Sequence, residues 1–223
     1  MVRPLNELVV PDATAWDEIR EAVGAAPHPV ELLPTGPERA GSCLAGLQVT
    51  TRSWLGAVVF HTGGIVVDHG WLRVYGSGCP DRSLDDLVTV NARSPLNYVI
   101  ADDVLGGRFR WWQDEPEEPP TVRYFGPDEL EWQDLQVGYA QWLAWMLSAD
   151  LPRFYENLRW DGWEAEVASC PLDHGLSAYP PPWTVEGRDI AAASRKAVAL
   201  EELIAFHHDA GRQLALPDRE VTN

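Results

Sequence analysis

The chain has 223 residues, 45% of them hydrophobic, and a formal net charge of -17. That length suits one domain with a substantial buried core. The acidic balance argues against nucleic acid and anionic membranes, both of which attract basic surfaces, and is compatible with a basic partner. No basic segment followed by an apolar run opens the chain, and no apolar run reaches ~18 residues, so neither a signal peptide nor a transmembrane helix is expected. Cys43, Cys79 and Cys170 lie far apart with no CxxC spacing, which suggests neither a disulfide framework nor a zinc site. A reducing cytoplasm is the expected compartment.

In chain order, the short apolar segment Leu8-Val9-Val10 ends at Pro11. Thr14 and Asp17 form a capping-box pattern ahead of a helix with Trp16, Ile19 and Val23 on one face. Residues 34–37 read as a loop, 38–44 as a short helix and 47–51 as a strand. Residues 53–62 read as a buried helix, with Gly63-Gly64 as its C-cap. Two short strands follow, Ile65–Val67 and Trp71–Tyr75, around the turn Asp68-His69-Gly70, a hairpin signal. Ser83 and Asp86 cap a helix carrying Leu84, Leu87 and Val88.

Asn97–Asp103 reads as a buried strand, and Gly106-Gly107 turns into a strand over 108–112. There Phe109 and Trp111 point one way, and Arg108, Arg110 and Trp112 the other. The acidic, proline-bearing residues 113–120 form a solvated loop. Residues 121–125 and 130–135 continue the meander. Tyr139, Trp142, Leu143 and Met146 give the strongest helical spacing, and Leu151, Phe154, Tyr155 and Leu158 repeat it behind Asp150. Residues 171–182 read as a proline-rich irregular connection, 189–193 as the start of a helix, 200–214 as a final amphipathic helix, and 217–223 as a frayed tail.

Residues 63–78, GGIVVDHGWLRVYGSG, hold the densest set of special residues. Asp68 and His69 at the turn, with Asp102 and Asp103 at another strand end, can form an acid–base or metal site if the turns meet. The same residue types also serve turns by capping backbone N–H groups. Arg73 lies inside a strand and shares a face with Trp71 and Tyr75 if alternation holds. It either pairs with Asp68, Asp102 or Asp103 or recognises a ligand. Trp160 and Trp163, in the run RWDGW, either clamp the C-terminal part onto the core or rim a peptide groove. The eleven Trp residues divide the same way, between core and interaction surface. His207 falls near the apolar face of the last helix. Cys79 is the most accessible of the thiols by position. No phosphate loop or G-x-S-x-G frame is present, and neither a metal, a cofactor nor a catalytic residue is assigned.

The segments TTRSWLGAVVFHTGGIVVDHGWLRVYGSG, IADDVLGGRFRW, VRYFGPDELEW and GYAQWLAWMLSADLPRFYENLRWDGWE resemble a bacterial family of unknown function over nearly the whole chain. Residues 50–150 are similar to the SUKH superfamily, which includes many toxin-immunity proteins. The resemblance rests on the helix ending in Gly63-Gly64, the strand end at Asp102, Asp103, Gly106 and Gly107, and the helix over 139–147. The segment after Trp160 is an addition to that pattern. The expected fold is α+β: a mainly antiparallel sheet flanked by helices, with a SUKH-like core and a C-terminal helical extension, in one domain over residues 1–216. The resemblance implies an immunity-type binding protein that sequesters a protein partner, and the acidic balance suits a basic one such as a toxin. The alternative is a small-ligand binder or enzyme with Asp68, His69, Arg73, Asp102 and Asp103 around one cleft.

Overall fold

The strand-forming runs build one antiparallel sheet of seven strands in sequential order. These are β1 (Val30–Leu33), β2 (Gly64–Val67), β3 (Leu72–Tyr75), β4 (Tyr98–Asp103), β5 (Arg108–Trp112), β6 (Thr121–Phe125) and β7 (Trp132–Asp134). The computed structural model describes residues 2–92, 97–115 and 117–215, so the expected frayed tail lies outside the described residues. The helices are α1 (Leu5–Leu8), α2 (Ala15–Ala25), α3 (Pro37–Leu47), α4 (Trp54–His61), α5 (Leu87–Val90), α6 (Tyr139–Met146), α7 (Leu151–Phe154), α8 (Trp163–Ala168) and α9 (Leu200–Leu214). A separate hairpin, β8 (His174–Tyr179) and β9 (Ser194–Ala199), precedes α9. The fold is therefore α+β, an antiparallel sheet flanked by helices with a C-terminal helix.

Strand register sorts the sheet residues into two cross-strand ladders, because directly paired residues share a face. One ladder is apolar: Ile65, Val74, Ala101, Phe109 and Tyr124 stand side by side. Phe109 packs on Trp142 of α6 at 5.2 Å and on Phe154 of α7 at 5.8 Å, so this face carries the helical layer. The other ladder is polar at its centre: Val66, Arg73, Asp102, Arg108, Phe125 and Trp132. It lies beneath the start of β8 and α9, through Arg73 to the carbonyl of Leu172 and Arg108 to Glu201. A bulge at Ile100 sets the sorting in β4. Val99 pairs with Arg110 and Ala101 with Phe109, so these two residues face opposite ways although two apart.

Local chemistry starts several elements. The Ser53 hydroxyl accepts from the Gly56 N–H at 3.0 Å and caps α4. Asp86 accepts from the N–H groups of Val88 and Thr89 and caps α5. Pro37 opens α3 at a position where no N–H is needed.

Several expectations are corrected. Residues 47–51 are not a strand: Leu47 ends α3, and Gln48 caps it in the left-handed region at φ 56°. The apolar segment at Leu8 is the end of α1. The loop expected around Pro34 is preceded by β1, whose pairing with β2 overrides a run too short and too proline-flanked to read alone. The proline-rich connection contains β8, and the helix expected from Asp189 is a turn leading into β9. Thr14 and Asp150 make no side-chain caps; the Thr14 hydroxyl donates to Glu18 instead. Ser83 lies in a left-handed turn at φ 52°, and the helix there begins only at Leu87.

Gly63 and Gly64 do not cap α4, which ends at an extended Thr62. They and Gly76 are needed for close approach of backbones instead. A Cβ on Gly76 would stand 2.6 Å from the Thr62 carbonyl oxygen and 2.8 Å from the Gly64 nitrogen. Backbone atoms on all sides cannot yield as a side chain can. Gly76→Ala is expected to cost about 1–3 kcal/mol by overpacking, read as a lowered urea midpoint. Gly24→Ala, in α2 with open space around it, is expected to leave stability unchanged or raise it slightly.

Candidate functional site

The turn between β2 and β3 is built from strained backbone. Asp68, His69 and Gly70 all have positive φ, at 53°, 62° and 96°. Only glycine adopts this freely, so the two preceding residues need outside support. Arg159 supplies it: its Nη2 donates to Asp68 at 2.7 Å, and both side chains are nearly covered. The same guanidinium lies over Trp163 at 4.1 Å and over Trp71 at 4.8 Å. Trp71 in turn packs on Tyr155, Trp160 and Trp163, with ring centroids 5.1–5.9 Å apart. Trp71 adopts helical φ/ψ outside β3, so strand alternation does not reach it.

Trp160 is held from its other side by Arg195 of β9, 4.1 Å from the ring. Its N–H and Arg195 both donate to Glu166. Trp160 and Trp163 are buried, at 6% and 9% exposure. The run RWDGW is thus a clamp that fastens α8 and the β8–β9 hairpin to the β2–β3 turn.

Arg73 is fully buried, and no carboxylate among the described residues pairs with it, although Asp102 is its register partner. Instead it donates to three backbone carbonyls, those of Gly70, Leu172 and His174. These bonds anchor the start of β8 to the sheet. Asp102 belongs to Arg108, which grips it with two bonds of 2.7 and 2.8 Å, while the Tyr75 hydroxyl donates to it at 2.6 Å. Burial and then the Asp102 charge push the Tyr75 phenol well above its ordinary range.

Asp103, one residue on, points to the opposite face. It accepts from the Tyr124 hydroxyl and from the N–H groups of Leu105 and Gly107. Burial pushes its carboxyl up to about 6, against the opposing pull of those three donors.

The single cleft expected from Asp68, His69, Arg73, Asp102 and Asp103 is therefore not assembled. Asp102 and Asp103 are adjacent in a strand, so their side chains leave opposite faces. Asp68 is taken by Arg159, and Arg73 by carbonyls. Of the five, His69 is exposed and lines a cavity of about 290 Å³ with Cys170 and Leu172. The thiols are all free and buried, Cys79 included, so the accessibility expected of Cys79 is corrected. Burial pushes Cys43 up to about 11 and raises Cys170. His207, on the inner face of α9, is driven down to about 4 by burial. The residues missed in the sequence are Arg159, Arg108 and Tyr124, each the partner of an acidic residue that was singled out. The excess of buried carboxylates over assigned cations was the one available signal.

The architecture defines a protein with an antiparallel meander sheet, one face under helices and the other under a C-terminal hairpin and helix. The chain belongs to the family described as protein of unknown function DUF2625, which matches residues 5–203. It is 40% identical to the uncharacterised protein YbfG of Escherichia coli K12, over 91% of this chain and 94% of that one. It is 29% identical to an uncharacterised protein of Haemophilus influenzae Rd, over 74% of this chain and 76% of that one. No solved structure matches. Among the described residues, no helix is long and apolar enough to cross a membrane.

Removing Arg159 strands a buried carboxylate. Arg159→Met is expected to cost about 3–5 kcal/mol, and the double variant Asp68→Asn/Arg159→Met clearly less. Equal losses in urea denaturation would show that the ion pair is not what holds the turn.

The raised Asp103 group gives a pH signature. A folded-state value of about 6 against 3.8 favours the protonated folded form. Its contribution is fully present below the unfolded value and is lost as pH rises through about 6, on the order of 3 kcal/mol. The stability of Asp103→Asn relative to the parent is therefore expected to rise between pH 4 and pH 7 and then level off. A difference that stays flat with pH would contradict the assignment.

Proposed function

We propose that this chain is a non-enzymatic binding protein that captures a cationic macromolecular partner, in its most concrete form an immunity-type protein that sequesters a basic toxin. The observation that supports this reading is where the charges lie. Arg73 and Arg108 are buried, and Arg159 and Arg195 are largely covered, all engaged in holding the fold together. Among the described acidic residues, only Asp68, Asp102 and Asp103 are buried. The covered arginines and buried carboxylates nearly balance, so the surface keeps the acidic character that the net charge of -17 conveys. Such a field steers cationic partners and repels nucleic acid and anionic lipid. The β5–β6 loop presents Asp114, Glu115, Glu117 and Glu118, all exposed. Trp160 and Trp163 act in this reading as the support of the fold, and the recognition is electrostatic.

Immobilised protein exposed to native lysate is expected to retain a basic protein at physiological salt and release it as salt rises. The triple reversal Glu115→Lys/Glu117→Lys/Glu118→Lys is expected to weaken that capture by at least about tenfold. Recovery of no stoichiometric macromolecular partner at physiological salt would count against the reading. So would a partner indifferent to both salt and charge reversal.

A further inference from the structure

We propose that the cavity between β5, β7 and α9 is a binding site for a small organic monocarboxylate, with Arg110 receiving its carboxylate group. The cavity measures about 420 Å³. Arg108, Arg110 and Trp132 line it from the sheet, and Ile204, Ala205 and His208 from α9. Its size suits a small ligand.

The ion pairs around this space leave one guanidinium unpaired, because two of the three nearby carboxylates share Arg108. Arg108 is taken by Asp102 behind it and by Glu201 at 2.8 Å. Arg212 pairs with Asp209 one turn away on α9, and Arg123 pairs with Asp114. Arg110 has no carboxylate within ion-pair distance among the described residues, and none of its N–H groups has a hydrogen-bond partner there. Its Nε is shut off from solvent, and its guanidinium lies over the Trp132 ring at 4.9 Å. In the register of β5 and β6, Arg110 stands directly opposite Arg123. Like charges in that position destabilise a sheet. A half-buried, unpaired guanidinium facing a second one is a local conflict that an anion relieves.

His208 adds a second unsatisfied group. Its Nε2 is buried without a partner, and its ring lies against Phe125 at 4.2 Å and stacks on Trp132 at 5.8 Å. Burial, and then the charges of Arg108, Arg110 and Arg212, drive it down to about 4, so the imidazole is neutral at physiological pH. Three arginines and two carboxylates line the cavity.

The class of anion follows from the pairing. One free guanidinium matches one negative charge, and a carboxylate meets its N–H fork with two parallel bonds. Glu201 and Asp209 stand at the same cavity and oppose a second negative charge. Trp132, Ile204 and Ala205 offer apolar surface for a hydrocarbon or aromatic body. This site is independent of the acidic surface proposed for a macromolecular partner, because it is built from the arginines that surface lacks.

Calorimetric titration of the full chain at low ionic strength, with benzoate, butyrate and inorganic phosphate in separate arms, tests the site. Saturable binding of at least one monocarboxylate, tighter than phosphate, is expected. Arg110→Gln is expected to weaken it by at least about tenfold, and Arg110→Lys, which keeps the charge and loses the fork, by less. Ala205→Trp fills the cavity from an exposed helix position and is expected to abolish binding with the circular dichroism unchanged. Should Arg110→Gln fail to fold, the Lys and Trp variants decide. No binding of either monocarboxylate at millimolar concentration, binding indifferent to these substitutions, or tighter binding of phosphate would each overturn the proposal.

Discussion

The structure depends on a row of charges buried within the sheet. Asp102 lies between Arg73 and Arg108 in the register of three adjacent strands, with none of its surface exposed. Burying charge is expensive unless every group finds a partner. Here Arg108 and Tyr75 satisfy Asp102, and backbone carbonyls of the turn and of the hairpin's approach hold Arg73 through its Nε and Nη1. Those partners come from distant parts of the chain. The charged row therefore obliges the C-terminal hairpin and α9 to cover that face, because an apolar layer could not meet its hydrogen-bonding demand.

The second fastening is aromatic. The β2–β3 turn carries two left-handed non-glycine residues, and the Arg159 side chain, with Trp71, Trp160 and Trp163 around it, holds that turn in place. Arg195 extends the contact to β9. The stacked guanidinium and indole groups join helix, turn and hairpin with charge and apolar area together, which neither a lysine nor a leucine could do. Four of the eleven Trp residues are accounted for here and around Phe109, where Trp142 lies in the core.

These two fastenings use most of the buried arginine. Among the described residues, Arg110 stands apart from both, beneath α9 and opposite Arg123, without the partner that each other sheet arginine has. Arg73, Arg123 and Arg159 each leave one guanidinium nitrogen without a partner as well, but each is anchored through another nitrogen, which Arg110 is not.

Much of the architecture was legible in the residues. Alternation placed Phe109 opposite in facing to Arg108 and Arg110, and helical spacing placed α6 and α9, because these patterns reflect local geometry that every residue in an element repeats. β1, β8 and β9 were not legible: β1 and β8 are proline-flanked, β9 (SRKAVA) shows no apolar alternation, and each becomes a strand only through a partner supplied elsewhere. The site residues divide the same way. Asp68, Asp102 and Asp103 stood out as carboxylates at turns and strand ends, yet their partners Arg159, Arg108 and Tyr124 did not, since pairing across distant segments leaves no mark on spacing. Sequence by itself determined the α+β class, the hairpin at Gly70 and the acidic character. Only the tertiary structure decided which face each of Asp102 and Asp103 meets and which partners wait there, because a bulge at Ile100 and the register of β4 set their facing.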